Sequence, residues 1–176
     1  MQSDEVAKLV ATAKEYLWPA FGRDASFFGR PVSIVRSAEG RYIVDSFGHR
    51  LLEPNSAGGA VPLGFNLPEL MAAVSDQMGN IATTTPSLFV PTEPVVWLAQ
   101  KIATRSPGSL KYTIFGSNGT DANEAAIKIA RHYWKIMGQA SKYKIIHRYP
   151  GDYHGMSLST ASASGHTFRR VPFEPL

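Results

Sequence analysis

The 176-residue sequence predicts an α/β fold. Residues 111–115 and 143–148 are short β-type runs, and a strong helical pattern over residues 121–137 lies between them. A strand, a helix and a second strand in this order favour a parallel strand pair with a right-handed crossover. Because parallel sheets are rarely built from only two or three strands, we expect the chain to be an incomplete part of a larger fold.

The N-terminal part predicts one helix followed by a small antiparallel meander. Ser3 can cap a helix whose apolar spacing continues to Leu17. Residues 32–37 and 41–45 predict a β-hairpin with a glycine turn, and residues 50–52 can add a third strand.

The middle of the sequence predicts a loop and two helices. Residues 55–64 are rich in glycine, alanine and proline, a composition that lets the backbone approach another group closely. Pro68 opens a helical pattern that reaches Met78, and Thr92 can cap a further helix that ends before Pro107.

Composition argues against several classes of function. The net charge is only +4 and the basic residues are scattered, which disfavours a nucleic-acid partner. The chain has no cysteine, so it has no disulfide or thiolate metal site. The histidines lack ligand-like spacing, so we expect no metal site: His49, His132, His147 and His166. Without a signal peptide or a membrane-length apolar run, the sequence predicts a soluble, cytoplasmic protein with no membrane partner.

Residues 116–120 form a glycine-bearing turn between the first β-type run and the long helix. The unbonded backbone N–H groups of a first helical turn, together with the helix dipole, favour an anion at this position. Ser117, Asn118 and Thr120 add side-chain donors suited to phosphate oxygens. The turn therefore predicts a phosphate site. The alternative is a purely structural turn in which Thr120 or Asp121 caps the helix.

The spacing of this turn does not fit the common nucleotide motifs. No lysine follows Gly119 before Lys128, as a P-loop would require, and Gly116 and Gly119 alone do not make a dinucleotide fingerprint. The wider string GSNGTDANEAAIKIAR instead resembles the cofactor-phosphate motif of class III, fold-type I aminotransferases that use pyridoxal 5'-phosphate. That motif is S-G-S/T-E/D-A-N followed by a helix ending in K-x-A-R. Asn118 stands where the family usually has serine, and its amide can still donate.

Two further motifs strengthen this resemblance. Tyr153-His154-Gly155 looks like the family's Y-H-G, whose aromatic ring stacks on the cofactor ring. Gly64 to Pro68 resembles the G-H/F-x-x-P turn before the first large-domain helix. With the phosphate motif, the three occur in the family's order over residues 26–176. The resemblance implies that residues 1–60 are an N-terminal segment contributing a helix and a β-meander to the small domain. It implies that residues 61–176 are the first part of the large cofactor-binding domain.

The resemblance also implies which residues bind pyridoxal 5'-phosphate. The implied cofactor-binding set is Ser117, Asn118, Gly119, Thr120, Tyr153, His154 and Gly155. Tyr153 would stack on the cofactor ring, although a tyrosine after a strand more often anchors a loop. His154 is expected to pack or to give indirect support, and a side chain at Gly155 would crowd the ring. Phe28 and Phe89, from the N-terminal and Thr/Pro-rich loops, are implied to line the substrate pocket. Gly58 and Gly59 fall where the family's small substrate pocket lies.

Two groups that the chemistry requires are absent from the expected places. The family's Schiff-base lysine and its aspartate partner for the pyridine nitrogen come from a later part of the large domain. None of the eight lysines has the family's context: Lys8, Lys14, Lys101, Lys111, Lys128, Lys135, Lys142 and Lys144. We therefore expect no catalytic residue in this chain. It should be inactive alone and work with a complementing C-terminal fragment.

The resemblance implies amino-group transfer between an amine or amino acid and a keto acid or aldehyde, in a homodimer with an interfacial active site. Two alternatives remain open at this point. One is an isomerase similar to glutamate-1-semialdehyde aminomutase, because all the motifs present are shared with that chemistry. The other is a non-catalytic module that binds a phosphate ligand or has a regulatory role.

Overall fold

A computed structural model of the chain describes residues 3–18, 33–85, 90–151, 153 and 155–176. The chain forms two compact units, Met1–Thr92 and Glu93–Leu176. This division reflects local packing, and the domain boundary expected between residues 60 and 61 stays a prediction.

The first unit begins with helix α1, Ser3–Tyr16. Asp4 and Glu5 lie in its first turn and Lys14 lies in its last, which suits the charges at the two ends of the helix dipole. Val6 faces inward and is buried. The predicted amphipathic helix is therefore present.

A three-stranded antiparallel sheet follows, in the order β1-β2-β3. The strands are β1, Val35–Glu39, β2, Tyr42–Asp45, and β3, Arg50–Leu52. The register is irregular between Val35 and Ser37, which is typical of a bulge at the end of a short edge strand. The predicted meander is confirmed.

Gly64 attaches the following segment to this sheet. Its neighbour Phe65 exchanges backbone hydrogen bonds with Gly40, at 2.7 and 3.1 Å. Gly64 has φ +102°, and a Cβ there would lie 2.8 Å from the Gly40 carbonyl oxygen. Both the conformation and the lack of space require glycine at this position. Helix α2, Pro68–Asn80, begins directly after this attachment.

Asp45 holds the turn between β2 and β3. Its Oδ1 accepts hydrogen bonds of 2.9 Å from the N–H groups of Phe47 and His49, and its Oδ2 lies 2.9 Å from His49 Nδ1. Burial acts to raise the pKa of this carboxyl group, but the bonds from His49 and Phe47 outweigh burial and hold the pKa below its ordinary value of 3.8.

The second unit is helical where it has regular structure. Its elements are α3, Glu93–Ala103, α4, Gly119–Ile136, α5, Leu158–Ser162, α6, Thr167–Arg170, and a closing 3₁₀ turn, Val171–Phe173. The predicted helices after Thr92 and over 121–137 are thus present. The second of them starts two residues earlier than expected.

The two strands predicted in this unit are not formed as strands. Residues 111–115 and 143–148 make no strand hydrogen bonds among the described residues, and they do not pair with each other. Tyr112 is 91% exposed and Ile146 is 96% exposed. The residue pattern of these two segments is typical of β-strands. A strand also needs a neighbouring strand to pair with, and the described part of the chain supplies none for either segment.

The chain buries little apolar surface. Among the described residues, the buried apolar side chains are Val6 and Ala161. By contrast, large apolar side chains on several elements are more than half exposed, including Leu70, Trp97 and Ile129. Amphipathic helices normally cover such faces with another layer. The structure is therefore a partial α/β fold, as expected for an incomplete chain.

Candidate functional site

The candidate site begins at the N-terminus of α4, where Asn118 is the capping residue. Its backbone is extended, and its Oδ1 accepts a 3.0 Å hydrogen bond from the N–H of Asp121. Its carbonyl oxygen accepts a second, 3.2 Å bond from Ala122 N–H. The alternative interpretation named Thr120 or Asp121 as the cap, but the Asn118 side chain takes this role, because it reaches the third helical N–H from a position further upstream.

Asp121 uses further donors of the same turn. Its Oδ2 accepts a 3.1 Å hydrogen bond from Ser117 N–H and lies 3.4 Å from Asn118 Nδ2. The Asn118 amide, one of the predicted phosphate donors, and the Ser117 backbone N–H are therefore engaged within the turn itself. The N–H groups of Gly119 and Thr120 have no acceptor among the described residues. They are the first two N–H groups of an 18-residue helix, where the dipole favours an anion.

Tyr153 lies against this helix start. A Cβ built on Gly119 would be 2.7 Å from the Tyr153 phenol oxygen and 3.7 Å from the ring carbon that carries it. Only a residue without a side chain leaves the phenol where it is. Two residues that the sequence analysis placed in one site, 34 positions apart, are thus brought together.

Thr120 provides a second link between the helix start and the tyrosine segment. The N–H of Met156 donates a 3.2 Å hydrogen bond to Thr120 Oγ1. Because the hydroxyl oxygen accepts this bond, its own hydrogen must point elsewhere and can be donated to another group. The Thr120 side chain therefore combines a fixed position with an available donor.

Gly155 lies in a space with no room for a side chain. A Cβ there would be 2.0 Å from Thr160 Oγ1 and 2.7 Å from Cε1 of the Tyr153 ring. Thr160 is fully buried, so it has little freedom to move aside. The glycine thus allows the Tyr153 ring and the start of α5 to approach each other.

The segment that carries Tyr153 is also held from its other side. Gly165 N–H donates to Gly151 O at 2.9 Å, and Tyr153 N–H donates to Ala163 O at 3.4 Å. A Cβ on Gly165 would lie 2.5 Å from Arg148 O, so these backbones are in direct contact. Tyr153 is therefore positioned by contacts on two sides.

Glu124 is a functional candidate that the sequence analysis did not identify. Its Oε1 accepts hydrogen bonds from the hydroxyl groups of both Ser157 and Ser159. The bond from Ser157, followed by that from Ser159, lowers the pKa of Glu124 below its ordinary value of 4.5. In the sequence, the only signal was an acid in the second helical turn and a serine-rich segment after Gly155.

Of the remaining predicted site residues, the structure describes Gly58 and Gly59. Gly58 and Gly59 lie in the first unit, in the turn Ser56–Gly59, with φ +72° and +87°. Phe28, Phe89 and His154 lie outside the described residues. The predicted substrate pocket therefore stays a prediction.

Two other properties bear on function. Within the described ranges, no group of three or more histidine, aspartate or glutamate side chains is arranged to hold a metal ion. None of the helices in those ranges combines the length and the apolar character needed to span a bilayer.

Comparisons with known proteins identify the family. The family model "Aminotransferase class-III" matches residues 28–175. A probable aminotransferase of Mycobacterium tuberculosis is 35% identical over 97% of this chain and 36% of its own length. A putrescine–pyruvate aminotransferase of Pseudomonas aeruginosa is 32% identical over 89% of this chain and 36% of its own length.

A solved structure agrees with these two relatives. The crystal structure of a Bacillus anthracis aminotransferase matches all of this chain and 38% of its own, with a TM-score of 0.87 and 32% identity. The chain thus spans about a third of the length of the curated relatives it matches. It belongs to the class-III aminotransferases, a family of enzymes.

Proposed function

We propose that this chain supplies the phosphate-binding turn and the ring-stacking face of a pyridoxal 5'-phosphate-dependent aminotransferase. The observation that carries the proposal is the contact between Gly119 and Tyr153 at the start of α4, beside two backbone N–H groups that have no acceptor in the described part of the chain. Membership of the class-III family supports the choice of cofactor over other phosphate ligands.

The residues present fit such a cofactor. The N–H groups of Gly119 and Thr120 and the Thr120 hydroxyl form a donor set of the kind that binds phosphate oxygens. The Tyr153 ring, only partly exposed and next to this donor set, is suited to a flat aromatic ligand. When bound, pyridoxal phosphate supplies an electron-accepting ring that stabilises negative charge at the substrate carbon.

In this proposal the chain's own residues bind and orient. The helix start and the Thr120 hydroxyl hold the phosphate, while Tyr153 fixes the plane of the ring. Ser117 and Asn118 shape the turn, because their polar groups are bonded to Asp121. The proposed role of these two residues is therefore more structural than the sequence suggested. Only the Ser117 hydroxyl and the second amide hydrogen of Asn118 remain available to bind a phosphate.

The chain is proposed to need further polypeptide for catalysis. No lysine of its sequence lies in a family-like context, so the reacting amine and the acid partner of the pyridine nitrogen would come from a complementing C-terminal segment. The exposed apolar faces of the helices and the unpaired residues 111–115 are consistent with such a partner. We further propose a homodimer with an interfacial active site, and a cytoplasmic location, both as the sequence predicts.

The proposed reaction is reversible amino-group transfer between an amine or amino acid and a keto acid or aldehyde. The putrescine–pyruvate relative acts, by its name, on a substrate pair of this kind. We propose the same broad class for this chain and no individual substrate.

A matched pair of ligands tests the cofactor proposal. Pyridoxamine 5'-phosphate and pyridoxamine share the ring and lack an aldehyde, so surface lysines do not react with either. Titration calorimetry on the chain should show that the phosphorylated ligand binds at least roughly tenfold more tightly, as expected for charge-assisted hydrogen bonds. Competition by inorganic phosphate would place the difference at the anion site. Equal affinities for the two ligands would refute the proposed phosphate site.

A further inference from the structure

Glu124 connects helix α4 to the segment that follows Tyr153. It lies in the second turn of α4, half-buried, and its Oε1 accepts from the hydroxyls of Ser157 and Ser159. Both serines belong to the start of α5, directly after the tyrosine segment. One carboxylate oxygen thus gathers two hydroxyls from a segment more than 30 residues away in sequence.

The Glu124 carboxylate also determines where the hydroxyl hydrogen of Ser157, the capping residue of α5, points. Ser157 has a single hydroxyl hydrogen, and it is donated to Glu124. The hydroxyl oxygen of the buried Thr160 lies 2.7 Å from Ser157 Oγ, and its single hydrogen can be donated either to Ser157 Oγ or to the Ser157 carbonyl oxygen at 3.2 Å. Ser157 Oγ also accepts the Thr160 N–H at 3.2 Å, which completes the capping box of α5. The serine that caps α5 is therefore also bonded to the Glu124 carboxylate.

Thr160 connects the start of α5 to Tyr153 through the space at Gly155. Its Oγ1 and Cβ lie 2.0 and 2.4 Å from the position of a Cβ on Gly155, and the Tyr153 ring lies 2.7 Å from the same point. Thr160, Gly155 and Tyr153 are thus packed in series without space between them. A shift of the α5 cap would move the ring away from Gly119.

We propose that Glu124 is a positioning residue of the cofactor site, which holds the start of α5 on α4 and thereby sets the Tyr153 ring against Gly119. The inference rests on the proposed function for its consequence, cofactor binding. Its structural part, the position of the ring, can be tested without any ligand. Glu124 acts through Ser157, Ser159 and Thr160 and is not itself a catalytic residue.

The test follows Tyr153 directly, with 3-fluorotyrosine incorporated into the whole chain and the Tyr153 resonance assigned by its loss in Tyr153→Phe. Glu124→Ala removes the acceptor of both hydroxyls, whereas Glu124→Gln keeps an oxygen that can accept them. We expect the ¹⁹F resonance of Tyr153 to move towards that of an exposed tyrosine in Glu124→Ala and to stay close to wild type in Glu124→Gln. Glu69→Gln, an exposed acid in the first turn of α2, is the matched control and should change nothing.

The same samples are then titrated with pyridoxamine 5'-phosphate. Glu124→Ala should bind it at least roughly tenfold more weakly, as expected from losing hydrogen bonds to a charged group. An unchanged Tyr153 resonance in Glu124→Ala, with an unchanged far-ultraviolet circular dichroism spectrum, would overturn the inference. If Glu124→Ala loses helical signal, Ser159→Ala decides the matter, because it removes one hydroxyl and leaves the α5 cap intact. A resonance that shifts part of the way supports the inference, and an unmoved one overturns it.

The failure of the proposed function would look different. If the wild-type chain shows no ligand-induced shift, the cofactor proposal fails, while the ligand-free resonance of Glu124→Ala still decides whether Glu124 positions the ring.

Discussion

The substitution Gly119→Ala should displace the Tyr153 ring while changing the stability of α4 little. Gly119 is the first residue of α4, where alanine is acceptable to the backbone, and its φ does not lie in the left-handed region. The added Cβ would lie 2.7 Å from the Tyr153 phenol oxygen. A carbon–oxygen contact ordinarily needs about 3.4 Å or more, so the two groups must separate by more than half an ångström.

The atom that the added Cβ would contact determines whether stability or ligand binding changes. The phenol oxygen is at the far end of a side chain, so the ring can swing aside without moving the backbone of α4. We therefore expect the free energy of unfolding to change by less than about 1 kcal/mol, with the higher helix propensity of alanine offsetting part of the strain. The displaced ring would lose most of an aromatic stack, worth roughly 0.5–1.5 kcal/mol. Affinity for pyridoxamine 5'-phosphate should accordingly fall about three- to tenfold.

Calorimetric titration with pyridoxamine 5'-phosphate and denaturant unfolding, both on the whole chain, measure the two quantities. Gly79→Ala is the control, because Gly79 is also helical and a Cβ there meets nothing within 4 Å. That variant should bind like wild type. If Gly119→Ala binds pyridoxamine 5'-phosphate as tightly as Gly79→Ala does, the glycine–tyrosine contact is not part of a cofactor site. If Gly119→Ala instead unfolds, the contact serves the fold and our interpretation of it is wrong.

Four further predictions follow from the same structure. Tyr153→Ala should weaken pyridoxamine 5'-phosphate binding by about 1 kcal/mol, whereas Tyr153→Phe should be mild, and equal losses in titration would indicate a hydroxyl role instead of stacking. Gly155→Ala should cost roughly 1–3 kcal/mol in denaturant unfolding, because its Cβ would lie 2.0 Å from the buried Thr160 hydroxyl. Borohydride reduction with pyridoxal 5'-phosphate should label the eight lysines sparsely in peptide maps, and a single stoichiometric adduct would overturn the view that the reacting lysine lies elsewhere. Since the pKa of Asp45 is lowered on folding, its stabilisation should be full above its ordinary value of 3.8 and be lost as the pH falls through the lowered pKa; unfolding curves of Asp45→Asn should lack this acid-side loss.

Local signals in the sequence predicted the local structure well. The acidic first turn of α1, the glycine turn of the hairpin and Pro68 at the start of α2 each have a short-range physical cause. These features depend on neighbours within a few residues, so one sequence contains all the information they need. The α4 cap shows the limit of this reasoning. Asn118, Thr120 and Asp121 are all good caps, and only the backbone geometry determines which of them is used.

Two features that depend on distant neighbours were not predicted correctly. The β-type runs 111–115 and 143–148 have the right side-chain pattern, but pairing is a property of two segments and the pattern describes only one. Glu124 escaped notice for the same reason. Its partners Ser157 and Ser159 are more than 30 residues away, and no local rule connects a helical acid to two later serines.

The contacts of the candidate site indicate that cofactor binding and amino transfer depend on different residues. The hydrogen bonds and close contacts described above for Thr120, Tyr153 and Gly155 are made by residues 116–165 of one unit. The reacting lysine and its acid partner are expected to come from another segment, because no lysine of this sequence lies in a family-like context. If the turn is formed locally, phosphate binding should not require the residues that carry out amino transfer. Affinity for the phosphorylated ligand and competence for amino transfer would then be independent properties. Adding a complementing segment should restore amino transfer while leaving the preference for pyridoxamine 5'-phosphate over pyridoxamine in place.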